Sequence, residues 1–165
     1  MSRKIEDLGT KILTEAPGTC AAVFVGIGLY VSEVDSKVRN DWPTDKQNLS
    51  HWAKVFGMAK VFMPIISLTG TLMAVGAYYQ TKEKFWLYGG ATLASIIPYT
   101  LLTMMKTNNY LNGVLKNSED NQAELEEIDR PLVREKLKEW VSSHRVRVVL
   151  ATAALGLFFW AKHGK

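Results

Sequence analysis

The 165-residue sequence contains few of the residues that build covalent crosslinks, metal centres or nucleotide sites. Its single cysteine, Cys20, excludes an intramolecular disulfide and a cysteine metal cluster. Its histidines do not form the H-E-x-x-H zinc motif, and the sequence has neither a P-loop nor a G-x-S-x-G nucleophile motif. We therefore expect no metal and no other bound cofactor.

The sequence has only a small excess of positive over negative charge. Lys and Arg number 20 and Asp and Glu number 16, which gives a net charge of +4. The basic residues are spread among acidic ones instead of clustering on one face, so we expect no nucleic acid among the partners. A mild basic excess fits loops that lie near anionic lipid headgroups.

Long apolar runs are what the sequence does contain, although its mean hydropathy is only −0.02. That mean combines the apolar runs with a very polar segment over 106–147. A helix needs about 20 mostly apolar residues to cross the hydrocarbon core of a bilayer. Four runs approach or reach this length, the last one when its amphipathic start is counted: 16–34, 58–79, 85–105 and 145–161.

These runs predict an all-α protein, a four-helix transmembrane bundle that forms one domain over 1–165. We expect a polar loop over 106–130, followed by a long fourth helix that begins near Pro131 and projects beyond the bilayer. The bilayer is then the first partner. The membrane is predicted to be the mitochondrial inner membrane or the endoplasmic reticulum.

An even number of spans places the two termini and the short 80–84 loop on one side of the membrane. Loop 35–57 and segment 106–144 then lie on the other side, which we call the motif end. Nearly all the unusual polar and aromatic residues fall there: Asp35, Arg39, His51, Trp52, Asn108, Trp140, His144 and Arg147. Lys60, near one end of the second run, is expected to extend its ammonium group to the interface.

The fourth helix carries the pattern Trp140-x-x-x-His144-x-x-Arg147, whose spacings of four and three place all three side chains on one face. A histidine there can serve as a general base, and an arginine can hold an anionic oxygen. The alternative is that Trp140 anchors the helix at the interface, while His144 and Arg147 contact headgroups or a carboxylate.

Two further patterns end the third and first spans. The stretch from Pro98 to Leu111 contains Thr100 and Asn108, which can cap a kinked helix or orient a substrate carbonyl. The first helix ends with Tyr30, Asp35 and Arg39. Asp35 either pairs with Arg39 at i,i+4 spacing or pairs with Arg147 across the bundle.

Together these segments resemble the anthrone oxygenase-like family of small four-helix membrane proteins. PYTLLTMMKTNNYL is similar to the family's third-helix motif, EWVSSHRVR to its Trp-His-Arg motif, and GIGLYVSEVDSKVR to the end of its first helix. His51-Trp52 followed by Phe56 resembles its segment before the second helix. Lys106 stands where the family usually has proline, and Asp35-Ser36-Lys37-Val38-Arg39 replaces a Glu-x-Pro-Ala-Arg ending.

The resemblance implies a function as well as a site. Fungal members oxidise a polyketide anthrone to the anthraquinone with O2 and without an obvious metal. The implied catalytic residues are His144, Arg147, Asn108 and Asp35, and the implied substrate-binding residues are Tyr30, Arg39, Trp52, Thr100 and Trp140. In this interpretation His144 abstracts a proton, Arg147 and Asn108 stabilise the enolate, and Asp35 orients Arg147 or His144.

A second class of function stays open at this point. The same polar cluster could tie four helix ends together in an accessory subunit of a larger membrane complex, for example a respiratory one, or in a homo-oligomer. A pocket at the motif end large enough for a bicyclic ring favours an enzyme that oxidises a lipophilic small molecule, a phenol or an anthrone. A completely filled bundle favours the structural subunit.

Overall fold

The computed structural model describes residues 2–42, 44–120 and 130–164, and these residues form four long helical rods. The first rod joins α1 (Ser2–Leu29), a π-helical segment (Tyr30–Asp35) and α2 (Ser36–Asn40), and the second is α3 (Asp45–Thr81). The third joins α4 (Phe85–Ala94), α5 (Ile96–Tyr99), a π-helical segment (Thr100–Met104) and α6 (Met105–Asp120). The fourth is α7 (Arg130–His163).

Each rod contains an apolar helix long enough to cross a membrane, within Asp7–Asn40, Asp45–Thr81, Phe85–Ser118 and Pro131–His163. This confirms the predicted all-α four-helix transmembrane bundle. Large apolar side chains such as Leu72, Val149 and Phe159 are exposed on its outside, as lipid contact requires. The 34 residues of α7 span about 51 Å, against a hydrocarbon core of about 30 Å, so this helix projects beyond the bilayer as expected.

The predicted polar loop over 106–130 is wrong for residues 106–120, which continue the third rod as α6. The remainder of that loop, 121–129, lies outside the described residues. Met104, Asn108, Leu111 and Ser118 are buried at spacings of four, three and seven, which is the pattern of one helical face. This amphipathic face packs against α7 and α3, so a segment with polar overall composition still forms a helix.

The bundle places α1 against α3 and α7, and α4 against the same two helices from the other side. Two apolar clusters fill it. The membrane cluster is rich in alanine and includes Phe24, Trp86, Leu93 and Phe158. The motif-end cluster contains Leu49, Trp52, Met104, Leu111 and Trp140.

Glycine permits two close helix approaches. A Cβ on Gly28 of α1 would lie 2.6 Å from Val148 Cγ2 and 3.6 Å from His144 Nε2 on α7. A Cβ on Gly89 of α4 would lie 2.5 Å from the ring of Phe158. Because small residues let helices approach in lipid, where apolar burial supplies little driving force, these contacts fix α7 between its neighbours.

The second rod has well-defined ends. Thr44 Oγ1 accepts a hydrogen bond from the backbone N–H of Gln47 at 3.2 Å and so caps the start of α3. Lys82 adopts the left-handed conformation (φ 60°) just after the helix, and its N–H donates to the Tyr78 carbonyl. The chain thereby reverses in the three residues before α4.

This topology makes a labelling prediction. In a Cys20→Ala background, cysteines placed at Lys46 and at Lys84 should react with a membrane-impermeant maleimide from opposite sides of sealed vesicles. Both lysines are exposed and lie at opposite ends of α3 and the turn after it. Labelling of both positions from the same side would contradict the four-span topology. Glu124 and Lys165, which should label with Lys46 and Lys84 respectively, lie outside the described residues.

Candidate active site

The fourth helix directs its motif into the bundle. Trp140, His144 and Arg147 are buried, with 1% of His144 and 8% of Arg147 exposed. The Trp140 and His144 rings are stacked, with centroids 5.1 Å apart and planes at 17°. Arg147 Nη2 donates to His144 Nδ1 one turn earlier on the helix. The spacing of four and three therefore produces one continuous column of contacts.

The hydrogen bond from Arg147 fixes how His144 is used. A guanidinium has donors only, so His144 Nδ1 must be the acceptor, and the ring proton of the neutral imidazole is then on Nε2. Nε2 lies on the side of the ring that faces Gly28 of α1. In this arrangement the histidine holds the guanidinium, and its one lone pair is occupied.

The other side of the Arg147 guanidinium meets the third rod. Arg147 Nη1 donates to Thr100 Oγ1 at 3.5 Å, and Thr100 Oγ1 in turn donates to the Ile96 carbonyl at 2.7 Å. Thr100 begins a π-helical segment, a widened turn that is frequent at functional sites. Arg147 Nε is buried and has no hydrogen-bond partner among the described residues. One donor of a doubly anchored guanidinium is thus left for another acceptor.

Asn108 of α6 supplies a second buried polar group. Its side chain is 2% exposed, and its Oδ1 has no hydrogen-bond partner within the described part of the chain. Its backbone carbonyl accepts a hydrogen bond from Asn112 Nδ2 at 2.8 Å. An amide with unused hydrogen-bonding capacity in an apolar interior suits a polar atom of a ligand.

A pocket of about 400 Å³ joins these groups, between α3, the third rod and α7. Its apolar wall includes Phe24, Phe56, Met63, Ile96, Met104 and Trp140. Its polar lining consists of Lys60, Ser67, Thr100, Asn108, Asn109, Asn112 and Arg147. Thr100, Asn108, Trp140 and Arg147 of the predicted site therefore line one cavity, and His144 lies behind Arg147. Lys106 is exposed and does not line it.

The structure places Asp35 elsewhere. Its Oδ1 lies 2.5 Å from His51 Nε2 and its Oδ2 lies 3.6 Å from Arg39 Nε. Trp42 packs edge-on against His51, with centroids 4.8 Å apart. Asp35 therefore ties the end of the first rod to α3, and it does not pair with Arg147 as the cross-bundle hypothesis proposed. The pairing of His51 with Asp35 is not predicted from the sequence, because no local spacing links the two residues.

Of the remaining predicted binding residues, Arg39 belongs to the Asp35 cluster. Tyr30 is 60% exposed on the outside of the first rod. Trp52 is buried, stacks on Phe56 at 5.2 Å and meets Trp140 edge-on at 6.1 Å. It therefore supports two walls of the pocket from behind. Among the described residues, no group of three or more His, Cys, Asp or Glu side chains is placed to hold a metal.

The sequence is similar to those of known proteins over most of its length. The sequence profile of the anthrone oxygenase family matches residues 52–157, which include most of α3, the third rod and the motif of α7. The chain is 30% identical over 159 residues to anthrone oxygenase tpcL of Aspergillus fumigatus, covering 88% of this chain and 92% of that protein. No solved structure matches the chain. The chain therefore belongs to the anthrone oxygenase family.

Proposed function

We propose that the protein oxidises a lipophilic aromatic ketone of the anthrone type with O2 in the pocket between α3, the third rod and α7. The observation that carries this proposal is the buried guanidinium of Arg147, which lines the pocket and whose Nε has no hydrogen-bond partner among the described residues. The similarity to anthrone oxygenase tpcL of Aspergillus fumigatus supports the same class of reaction.

The dimensions and lining of the pocket suit such a substrate. Its volume of about 400 Å³ falls within the range of about 300–1,000 Å³ typical of small-molecule sites. Phe56 and Trp140 offer aromatic surfaces to a planar ring system. A ring oxygen placed at Arg147 would receive a hydrogen bond in surroundings of low dielectric constant, where it is stronger than in water. Asn108 Oδ1 is an acceptor and would suit a hydroxyl group of the substrate.

The proposed reaction begins when the CH2 carbon opposite the ketone loses one proton to water and an enolate forms. Arg147 stabilises the negative charge on the enolate oxygen. The enolate transfers one electron to O2, and the carbon radical combines with superoxide to form a C–O bond and, after protonation, a hydroperoxide. Loss of the second C–H proton with cleavage of the O–O bond releases water. One CH2 group and one O2 thus become one C=O group and one H2O.

His144 acts in this scheme as a positioning residue. The sequence suggested a general base, but its Nδ1 accepts from Arg147 and its Nε2 faces α1 rather than the pocket. Holding the guanidinium in one orientation is the role that this geometry supports. Thr100 anchors the other edge of the same group.

The alternative function, an accessory subunit without catalysis, calls for a filled bundle whose polar groups satisfy one another. The pocket and the unpartnered atoms of Arg147 and Asn108 favour the oxygenase instead.

The direct test is oxygen uptake by the purified protein in lipid nanodiscs supplied with anthrone. We expect one O2 consumed per anthrone, with anthraquinone and water as products and no accumulation of hydrogen peroxide. Uptake no faster than with empty nanodiscs would overturn the proposal.

His144 variants refine this test. His144→Gln keeps an acceptor for Arg147 and should retain much of the rate of oxygen uptake. His144→Leu should lower that rate about 10- to 100-fold, because this factor corresponds to the free energy that a hydrogen bond to a charged group contributes. His163→Leu, at the exposed far end of α7, is the matched control. Thermal stability measured in parallel separates the two functions. A large loss of stability in His144→Leu, with no uptake by the wild type, would support the structural alternative.

A further inference from the structure

Lys60 of α3 is a second cation in the lining of the Arg147 pocket. Its Nζ lies 6.0 Å from the centroid of Phe56, which lines the same cavity. Its side chain is exposed, in contrast to the buried Arg147. Lys60 therefore lies at the outer part of the pocket and Arg147 at the inner part.

The two cations lie at similar heights along the axis of the bundle. The ion pair between Asp45 and Arg134, 2.8 Å long, brings the start of α3 level with one turn of α7. From the level of this ion pair, Lys60 lies 15 residues further along α3, which is about 22 Å. Arg147 lies 13 residues further along α7, which is about 20 Å. A flat molecule lying across the bundle would meet both side chains.

Acidic side chains that would neutralise Lys60 are absent from the described lining of the pocket. Asp and Glu do not occur among its lining residues, and no described residue forms an ion pair with Lys60. Asn109 and Asn112 of α6 are the other polar side chains at its exposed part. An exposed cation and a buried cation line one pocket whose described lining contains no acidic residue, and this arrangement favours a ligand that carries negative charge at two places.

We propose that Lys60 selects substrates whose ring system carries a carboxylate at a distance from the oxygen held by Arg147. This inference rests on the proposed function, because the proposed enolate accounts for only one of the two cations. Lys60 is then a specificity residue: it contacts the part of the substrate that does not react.

The experiment compares two substrates, unsubstituted anthrone and an anthrone bearing a ring carboxylate, in nanodiscs of zwitterionic lipid. In Lys60→Met the ratio of kcat/KM for the carboxylate to that for anthrone should fall about 10- to 100-fold, chiefly through KM. Lys60→Arg should restore the ratio to within a few fold. Lys54→Met, at an exposed position of α3 that does not line this pocket, is the matched control and should leave the ratio unchanged.

A binding measurement keeps this proposal separate from the oxygenase reaction. Anthraquinone and anthraquinone carboxylate do not react, and their affinity can be measured by quenching of tryptophan fluorescence. A preference of the wild type for the carboxylate that Lys60→Met abolishes would support the Lys60 site even without oxygen uptake. Oxygen uptake with equal selectivity in wild type and Lys60→Met would overturn the Lys60 site and leave the oxygenase proposal intact.

The Lys60 ammonium group could bind a lipid phosphate instead of a substrate carboxylate. The sequence predicts this alternative, because a lysine that extends to the interface lies among lipid headgroups. Repeating the binding measurement with a fraction of anionic lipid distinguishes the two. If Lys60→Met changes only the dependence on anionic lipid, and leaves the affinity for both quinones as in the wild type, Lys60 serves the bilayer and the proposal is wrong.

Discussion

Replacing Arg147 with alanine should lower the rate of oxygen uptake on anthrone by about two to three orders of magnitude. This is the typical effect of removing one preorganised donor to a developing oxyanion. The loss should fall mainly on kcat, because the full negative charge appears only as the enolate forms. Arg147→Lys should also be strongly impaired, since one ammonium group cannot contact Thr100 and His144 and still face the pocket.

Arg145 provides the matched control for this prediction. It lies two residues away on α7, is exposed, and pairs with Glu33 at 2.8 Å. Arg145→Ala should keep the wild-type rate. Size-exclusion profiles and helical content would establish that each variant is folded. An Arg147→Ala protein that folds and retains more than half of the rate would contradict the assigned role of the guanidinium.

The second large effect is on stability. Asp35→Ala should lower the free energy of unfolding by about 3–5 kcal/mol, as expected when one partner of a buried ion pair is removed. Asp35 and Arg39 are both buried, and Arg39 Nη1 has no hydrogen-bond partner in the described part of the chain. Loss of the carboxylate would leave the guanidinium with less compensation and also remove the His51 contact between the first rod and α3.

Thermal unfolding in detergent measures this effect. Glu33→Ala is the control, because Glu33 lies one half-turn earlier and its contacts with Lys37 and Arg145 are exposed to solvent. Exposed pairs contribute little, so its midpoint should stay close to that of the wild type. Equal midpoints for Asp35→Ala and Glu33→Ala would show that the buried cluster is not what joins the first rod to α3.

The number of spans and the class of fold can be read from the amino-acid sequence. The length of an apolar run is a local property, and the bilayer requires about 20 such residues for each helix. The sequence also places Trp140, His144 and Arg147 on one face of α7, because the helical repeat fixes which side chains share a face. The boundary of the third rod was missed, since the average polarity of 106–120 concealed an apolar face that becomes evident only at helical spacing.

Which polar groups contact one another depends on how the helices pack. The i,i+4 spacing of Asp35 and Arg39 is readable in the sequence, but the pairing of Asp35 with His51 depends on how the first rod crosses α3. The sequence predicts that Lys60 extends to the interface, as lysines at span ends commonly do, and only the packing of α3 against α6 shows that it also lines the pocket. Contacts between helices depend on rotation and depth of whole rods, and these are set by close approaches such as that at Gly28, which no local spacing encodes.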